Sequence, residues 1–479
     1  MVERDLCFTL ATELVKLYRA RKVSPLEVMQ AVLARIDEVN PAVNAYVTVA
    51  RESALKAARA ATNALRRGAK LSPLHGVPVS IKDLEPTKGI RTTWGSKIFE
   101  HHVPEEDTLV VKRLKAAGAI VVGKTNTPEF GAGANTFNAV FGATRNPWNP
   151  ALTCGGSSGG AAVALATGMG PTAQGSDLGG SLRIPAAFCG VVGFRTTPGL
   201  VPDYPKDLAW DSLSVVGPMA RTVADVALML SAVAGPDDMA PLSYAVDTRE
   251  FLRAVRNPSV KGWRVAWTPD LNGLTPVDAE VARVAEGAIR VFRSLGAKVE
   301  AACPDFSEVN DIVLATRGLS MVALHADKLA RWKGEMQKGL VWNIEQGLRL
   351  TPQEIGRGEK LRTVLWHRVR TFMETRDLLI LPTVAVPPFP VEQPYPTEIN
   401  GKVLENYTQW FFLTYGISVT GLPAISIPCG FTQGGLPVGL QIVGRRRQEA
   451  AVLCAAAAFE RAAPWSDRIP PVVGEGNSA

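Results

Sequence analysis

Two glycine-rich loops that carry serines are the stretches of this chain best suited to chemistry. Gly155 to Gly160 reads GGSSGG, and Gly175 to Ser181 reads GSDLGGS. Glycines let the backbone come close to a ligand, and successive N–H groups in such loops form a concave donor site for an anion. A serine beside these donors supplies a nucleophilic hydroxyl. The loops therefore predict acyl transfer through a serine, with backbone N–H groups stabilising the oxyanion.

A lysine upstream supplies a candidate base for this chemistry. Lys82 follows the apolar run Val77 to Ile81, which predicts a short strand, and sites in open α/β sheets gather at the carboxyl ends of strands. Burial beside Val79 and Ile81 would favour the neutral amine that a base requires, so activity is predicted to rise from neutral to alkaline pH. The alternative is that Lys82 forms a surface ion pair with Asp83.

The elements predicted around these residues would bring them together. Ala161 to Thr167 is small and apolar, and it reads as a buried helix that begins at the first serine loop. Residues 171–174 would form a strand that delivers the second loop, and residues 182–188 would begin the next helix. Backbone N–H groups at helix amino ends would then converge on both serines.

Other segments are predicted to form the supporting layers. Amphipathic patterns predict helices over residues 9–22, 25–39 and 51–67. In the second of these, Ser24 is a candidate cap and Pro25 occupies the first helical position. A further helix is predicted over residues 403–416. Short apolar runs predict strands over residues 119–122, 262–268, 298–302, 378–381, 422–429 and 437–443, and this alternation of strand and helix supports an α/β domain.

Lys82, GGSSGG and GSDLGGSLRIP together strongly resemble the motifs of the amidase signature family, in order and in spacing. The resemblance spans most of the chain. It implies an α/β fold with a mixed central sheet covered by helices on both faces. It also implies that Lys82 is the base, that Ser157 is a bridging serine after a cis Gly156–Ser157 bond, and that Ser181 is the nucleophile.

Residues next to the second serine complete the predicted site. The oxyanion hole would be formed by the backbone N–H groups of Leu178, Gly179, Gly180 and Ser181. Asp177 and Arg183 flank this loop and would brace it through hydrogen bonds and an ion pair. Ser158 would support the first loop. No cofactor is expected.

The substrate walls are predicted from segments that the resemblance places near the serines. These segments are Thr127 to Asn135, Asp203 to Asp211 and residues 316–345, with Pro382 to Pro387 and Trp410 to Tyr415 as further contributors. The candidate substrate contacts are Thr127, Asn135, Tyr204, Trp210 and Tyr415. Several aromatic residues occur in these segments, and a position in the core is the alternative for each. Because pockets are usually apolar with few polar anchors, a small or aryl amide is expected, and an aryl carbamate (urethane) is chemically close.

Three alternative functions compete with this prediction. The first is the glutamine-hydrolysing amidase component of a tRNA-dependent amidotransferase: residues 88–98 resemble that branch, whereas residues 203–226 look more like free-standing amidases. The second is an α/β-hydrolase with Ser158 at a nucleophile elbow, but no clear strand precedes GSSGG. The third is a binding or scaffolding protein, which the complete set Lys82, Ser157 and Ser181 disfavours.

Composition sets the remaining limits. The 479 residues are 46% hydrophobic and 20% charged, which is typical of a globular protein with a large core. One domain over residues 1–479 is predicted, with an N-terminal helical layer (1–70), a catalytic core (71–230) and a remainder with the other strands and the pocket helices (231–479). The net charge of +7 is spread along the chain, so no nucleic-acid partner is expected.

The location and assembly of the protein are also predicted from composition. Six scattered cysteines without a CxxC pair indicate reduced thiols and a cytoplasmic protein. No secretory leader, long apolar segment or metal-ligand spacing is apparent, so neither a membrane nor a metal is expected. Aromatic and leucine-rich segments are compatible with a homodimer, although nothing in the sequence fixes its interface.

Overall fold

A large mixed sheet organises the computed structural model, which describes residues 3–474. Within those residues the sheet has 11 strands. They are β1 (Tyr46–Val49), β2 (Pro78–Lys82), β3 (Ile120–Thr125), β4 (Thr172–Asp177), β5 (Val192–Arg195), β6 (Val215–Ala220), β7 (Arg264–Trp267), β8 (Lys298–Ala301), β9 (Leu378–Pro382), β10 (Ala424–Phe431) and β11 (Pro437–Gly444). Their spatial order is β1-β3-β2-β4-β6-β5-β10-β11-β9-β7-β8. The pairs β2/β3, β2/β4, β7/β9 and β7/β8 are parallel, and the other neighbours are antiparallel.

Helices cover both faces of this sheet. They are α1 (Glu3–Phe8), α2 (Ala11–Arg19), α3 (Pro25–Val43), α4 (Arg51–Arg66), α5 (Leu109–Ala116), α6 (Gly159–Ala166), α7 (Arg183–Cys189), α8 (Val223–Val233), α9 (Arg249–Arg256), α10 (Ala279–Ser294), α11 (Val309–Trp332), α12 (Lys338–Arg349), α13 (Pro352–Glu374), α14 (Phe412–Thr420) and α15 (Glu449–Ala462). Alternate residues of β9 enter different cores: Leu378 and Ile380 pack with α3, α8, α10 and α15, whereas Leu379 and Leu381 pack with α11, α13 and α14. The predicted α/β class, with helices on both faces, is confirmed.

The helix beginning at Pro25 forms as its sequence predicts. Ser24 Oγ accepts a hydrogen bond from the backbone N–H of Glu27, while the Glu27 carboxylate accepts from the backbone N–H of Ser24. This reciprocal capping box satisfies N–H groups that the first helical turn leaves unpaired. Pro25 takes the first helical position, where a missing N–H has no cost.

Two helix predictions are wrong. The segment 9–22 is not one helix, because α1 ends at Phe8 and α2 begins at Ala11. Asp225, far along the chain, caps α2 by accepting from the N–H groups of Ala11 and Thr12. Residues 403–416 are not a helix either. The Asn400–Gly401 pair, with φ of 51° and 76°, turns a short hairpin that ends at Val403, and α14 begins only at Phe412.

Candidate active site

Lys82 is the last residue of β2, between the neighbouring strands β3 and β4, and its side chain is fully buried. Its Nζ donates to Ser157 Oγ at 2.7 Å and to Ser176 Oγ at 3.0 Å. Asp83 points elsewhere, because its carboxylate accepts hydrogen bonds from the N–H and hydroxyl of Thr93. The surface ion pair between Lys82 and Asp83 is therefore wrong, and Lys82 faces the serine loops.

Burial sets the protonation state of this lysine. Loss of solvation lowers the pKa of Lys82 to about 7, although the negative charges of Glu85 and Asp177 act in the opposite direction. An exposed lysine has a pKa near 10.4, so its neutral form is scarce at neutral pH. At pH 7 and above, a large fraction of the Lys82 amine is neutral and able to accept a proton.

The first serine loop packs against other backbone at its glycines. A Cβ at Gly156 would lie 2.8 Å from the backbone carbon of Asn135, and one at Gly160 would lie 2.4 Å from the backbone nitrogen of Asn126. The Gly156–Ser157 peptide bond is cis. α6 begins at Gly159, as the small apolar segment predicts. Only glycine allows the chain to approach its neighbours this closely, which fixes Ser157 beside Lys82.

The two serine loops are tied to each other. The backbone N–H of Ser158 donates to the carbonyl of Ser181 at 3.1 Å, and the Ser158 hydroxyl donates to the carbonyl of Ser176 at 3.3 Å. A Cβ at Gly175 would lie 2.8 Å from Ser158 Oγ. Ser158 therefore lies between the loops and joins them.

The second loop leaves its backbone donors available. Among residues 3–474, no acceptor is hydrogen-bonded to the backbone N–H groups of Leu178, Gly179, Gly180 and Ser181. The loop is held from behind, because the Thr414 hydroxyl donates to the Gly179 carbonyl at 2.8 Å. A Cβ at Gly179 would lie 3.0 Å from the Tyr415 ring. Such preoriented, unpaired donors suit the stabilisation of an oxyanion.

A buried ionic cluster anchors the strand that carries this loop. Asp177 contacts Arg183 at 2.9 Å and Arg195 at 3.2 Å, and all three side chains are fully buried. Burial alone would raise the pKa of Asp177, but the two guanidinium groups outweigh it and hold the pKa of that carboxyl well below its usual range. Arg183 also donates to Ser418 and Gln441, which connects β4 with α14 and β11. The cluster fixes the geometry of residues 177–183.

A cavity of about 450 Å³ opens in front of the serines, and Ser157, Ser176 and Ser181 all line it. Its apolar wall consists of Leu84, Trp94, Phe99, Phe130, Ile184, Leu208, Met321, Leu324 and Phe411. The ring centroids of Trp94 and Phe99 are 4.9 Å apart, and those of Phe130 and His325 are 4.7 Å apart. Edge-to-face and tilted rings of this kind form a wall complementary to a flat apolar group.

Charged side chains line other parts of the cavity. Asp203, Lys206, Asp207 and Asp211 come from the loop before β6, and Arg317 and Lys328 come from α11. Lys206 lies 3.7 Å from Asp203 and 3.9 Å from Asp211, so it offsets part of the negative charge of this loop. The cavity thus combines an aromatic wall with polar groups.

None of the five predicted substrate contacts lines this cavity. Thr127 is fully buried. The side-chain amide of Asn135 donates to the carbonyls of residues 393 and 394 and accepts a hydrogen bond from the Thr153 hydroxyl. Tyr204 and Trp210 extend towards solvent, with 37% and 76% of their surface exposed. Tyr415 lies behind Gly179, where it supports the loop instead of touching the cavity. Other residues of the same segments provide the wall, namely Phe130, Leu208 and Phe411.

Ser176 and Arg195 contact predicted site residues, Lys82 and Asp177, but were not themselves predicted from the sequence. Ser176 lies inside the GSDLGGS motif and follows Gln174 by two residues, so both side chains lie on the same face of β4. The Gln174 side chain accepts a hydrogen bond from the backbone N–H of Lys82, and the shared face brings Ser176 to the Lys82 amine. Arg195 lies on β5 and reaches Asp177 only through the fold. No local sequence pattern marks it.

A buried lysine, adjacent hydroxyls and unpaired backbone donors meet at one end of a mixed sheet, an arrangement that suits serine-dependent amide hydrolysis. The chain belongs to the amidase signature family, because the Amidase family model matches residues 27–453. Relatives support this assignment over nearly the whole chain. An acylamidase of Rhodococcus erythropolis is 40% identical over 98% of both proteins.

Two further comparisons separate the branches of the family. The crystal structure of a bacterial aryl acylamidase gives a TM-score of 0.90 at 31% identity and covers 98% of this chain and 99% of that protein. A glutamyl-tRNA(Gln) amidotransferase component of Thermosynechococcus vestitus is 36% identical over 93% of this chain and 96% of its own length. The prediction of an amide-hydrolysing enzyme is confirmed, and the free-standing amidase is favoured over the amidotransferase component.

Between residues 3 and 474, no helix combines the length and apolar character required to cross a bilayer. The same part of the chain contains no group of three or more His, Cys, Asp and Glu side chains arranged to hold a metal ion.

Proposed function

We propose that this enzyme hydrolyses small or aryl amides through a relay of Lys82, Ser157 and Ser181. The observation that carries the proposal is the 2.7 Å hydrogen bond from the fully buried Lys82 Nζ to Ser157 Oγ. Among the side chains of residues 6–474, no carboxylate lies at ion-pair distance from this amine. Burial without an ion-pair partner favours the neutral amine over the charged ammonium, and the neutral amine can act as a base.

The relay assigns one role to each hydroxyl. Ser181 attacks the amide carbonyl, Ser157 accepts the Ser181 proton and passes its own to Lys82, and the N–H groups of residues 178–181 stabilise the oxyanion. The proton then returns through Ser157 to the leaving nitrogen as the C–N bond breaks. Water hydrolyses the acyl-enzyme by the same route and regenerates the serine. Ser158, Asp177 and Arg183 position the two loops without touching the reacting atoms.

The shape of the cavity supports an aryl or other flat apolar group on the substrate. A volume of about 450 Å³ with rings at Trp94, Phe99, Phe130 and Phe411 accommodates a substituted anilide. Similarity to acylamidases points in the same direction. Aryl carbamates place a C–N bond beside an equivalent carbonyl, so urethane hydrolysis belongs to the same proposal.

Glutamine is a second candidate substrate, because the cavity holds both carboxylates and cations that could contact an α-amino acid. Asp203 and Asp211, however, already face Lys206, which reduces their attraction for an ammonium group. Glutaminase activity that exceeds anilide turnover would favour this second candidate.

We also propose a cytoplasmic enzyme. Within residues 3–474 no disulfide joins any two of its cysteines, which supports a reducing compartment. The homodimer stays a prediction, and light scattering on the purified protein would test it.

The relay is tested by comparing hydroxyl variants on 4-nitroacetanilide. Ser181→Ala should reduce kcat/KM by about 10⁴-fold, and Ser157→Ala by about 10²- to 10⁴-fold. Ser176→Ala is the matched control, because it removes a hydroxyl also bonded to Lys82 Nζ. Its loss should stay below about tenfold, the effect of one neutral hydrogen bond. Equal losses in Ser157→Ala and Ser176→Ala would contradict the relay as assigned.

A further inference from the structure

Arg317 is a cation of the cavity wall whose charge is not balanced by an acidic side chain in the part of the chain whose side chains are described. It lies on α11, is partly buried and lines the cavity. Its Nε donates to Asn343 Oδ1 at 2.7 Å, and its guanidinium carbon lies 5.6 Å from the Tyr407 ring centroid. Tyr415 is also close by. Among the side chains of residues 6–474, no Asp or Glu carboxylate reaches ion-pair distance of Arg317.

The two lysines that line the cavity differ from Arg317 because each has an acidic neighbour. Lys206 is held between Asp203 and Asp211. Lys328 lies 3.4 Å from Asp327 and donates to the carbonyl of Leu324 at 2.8 Å. Both lysines therefore have an anionic neighbour supplied by the chain. The hydrogen bond and the ring contact of Arg317 described above are with neutral side chains, and a guanidinium group keeps its charge at every physiological pH.

Removing a cation partly from water costs free energy unless an opposite charge compensates for the lost solvation. The neutral contacts of Arg317 fix its position but leave its charge uncompensated. Because the side chain lines the substrate cavity, the compensating anion can arrive with the substrate. Arginine suits this role, since its planar fork matches the two oxygens of a carboxylate.

We propose that Arg317 binds a carboxylate carried by the substrate, so that the favoured substrates are amides with a second, anionic end. This inference rests on the proposed function and extends it by naming a substrate class. Phe411 lines the same cavity and stacks on Tyr415, with ring centroids 5.8 Å apart and planes within 10°. Tyr415 in turn packs behind Gly179. The carboxylate would thus be held by the wall that supports the oxyanion loop.

The test uses pairs of substrates that differ only in charge. Pairing 4-acetamidobenzoate with 4-acetamidobenzamide places the carboxylate on the amine side of the scissile bond. Pairing N-phenylsuccinamate with N-phenylsuccinamide places it on the acyl side. In at least one pair, the wild-type enzyme should hydrolyse the anionic member with a kcat/KM about 10- to 100-fold higher, the range of a charge-assisted hydrogen bond. The pair that shows the preference identifies the side that Arg317 contacts.

Variants separate Arg317 from the general charge of the cavity. Arg317→Met should abolish the preference for the anionic member while hydrolysis of its neutral partner changes less than about threefold. Arg317→Lys should retain part of the preference, because it keeps the charge and loses the fork. Lys328→Met is the matched control within the cavity, and Arg331→Met is the control for a charge on α11 that does not line it; both should retain the preference.

Either of two results would overturn this inference. One is a wild-type enzyme that hydrolyses both members of each pair equally well. The other is an equal loss of preference in Arg317→Met and Lys328→Met. Turnover of the neutral amides in these cases would leave the relay intact, whereas absence of all amide turnover would instead refute the proposed function.

Discussion

Burial, and not a neighbouring positive charge, lowers the pKa of Lys82 and so favours its neutral amine. Its polar partners are the hydroxyls of Ser157 and Ser176, which accept hydrogen bonds from it without fixing a charge on it. Glu85 and Asp177 favour the protonated form, but desolvation outweighs them. The sequence suggested this outcome, since Lys82 follows a mostly apolar strand, Val77 to Ile81. It could not show how far the pKa falls, because that depends on residues packed from β3, β4 and the serine loops.

The first prediction at the residue scale concerns the pH dependence of catalysis. Because the neutral amine is the active form and the pKa of Lys82 is lowered to about 7, kcat/KM should rise with pH through about 7 and become level above it. The negative charge of Glu85 raises the pKa of Lys82, so Glu85→Gln should move the midpoint to lower pH. A pH profile of 4-nitroacetanilide hydrolysis measures both. A midpoint near that of a free lysine, about 10.4, or one that Glu85→Gln shifts upward, would contradict this explanation.

The second residue-scale prediction concerns stability. In the unfolded chain Lys82 binds a proton below about pH 10.4, whereas in the folded protein it binds one only below about pH 7. Falling pH therefore destabilises the folded wild type across this window, and Lys82→Met does not share this loss. The quantity to compare is the free energy of unfolding of Lys82→Met minus that of the wild type. This difference should be about 3 kcal/mol more positive at about pH 7 than at about pH 10. Urea titrations at both pH values measure it, and an unchanged difference would show that Lys82 is charged in the folded state.

At the scale of elements, the serine loops work because adjacent elements hold their backbones. Thr414 and Tyr415 of α14 support Gly179 and Gly180, and Asp177 ties the loop to α7 and β5. Sequence motifs indicated the loops, since glycine and serine spacing is a local property. The support from α14 was not predicted, because the helix was placed over residues 403–416 and its contacts with residue 180 are remote in sequence.

The element-scale prediction is that Gly180 cannot carry a side chain. Its φ of 141° is unfavourable for other residues, and a Cβ there would lie 2.3 Å from Thr414 Oγ1. Gly180→Ala should displace the N–H groups of the second loop and reduce kcat more than about 100-fold, while KM changes little. Gly287→Ala is a matched control, since nothing lies within 4 Å of the added carbon on α10. Steady-state kinetics of both variants test this, and a fully active Gly180→Ala would contradict it.

At the scale of the whole molecule, one sheet joins segments from across the sequence. β5 (residues 192–195) pairs with β10 (residues 424–431), and β9 pairs with both β7 and β11. The α/β class was predictable from alternating apolar and amphipathic segments. The strand order was not, because pairing between distant strands leaves no local pattern. The strands β1, β5 and β6 were also not predicted, since their short, fully or partly buried runs lack a clear alternation.

This continuity gives a prediction about unfolding. Because the segments 71–230 and 231–479 share one sheet and two common cores, we expect them to unfold together as the predicted single domain. Differential scanning calorimetry should show one transition, coincident with the loss of near-ultraviolet circular dichroism. Two separated transitions would indicate independent domains.

The most direct test of the central assignment is to locate the acyl group on the enzyme. The protein would be reacted with an activated aryl carbamate, quenched in acid and digested, and the modified peptide sequenced by mass spectrometry. We predict one carbamoyl group per chain, attached to Ser181, and no modification in Ser181→Ala. Modification of Ser157, Ser158 or Ser176 in the wild-type protein would contradict the assignment of Ser181 as the nucleophile.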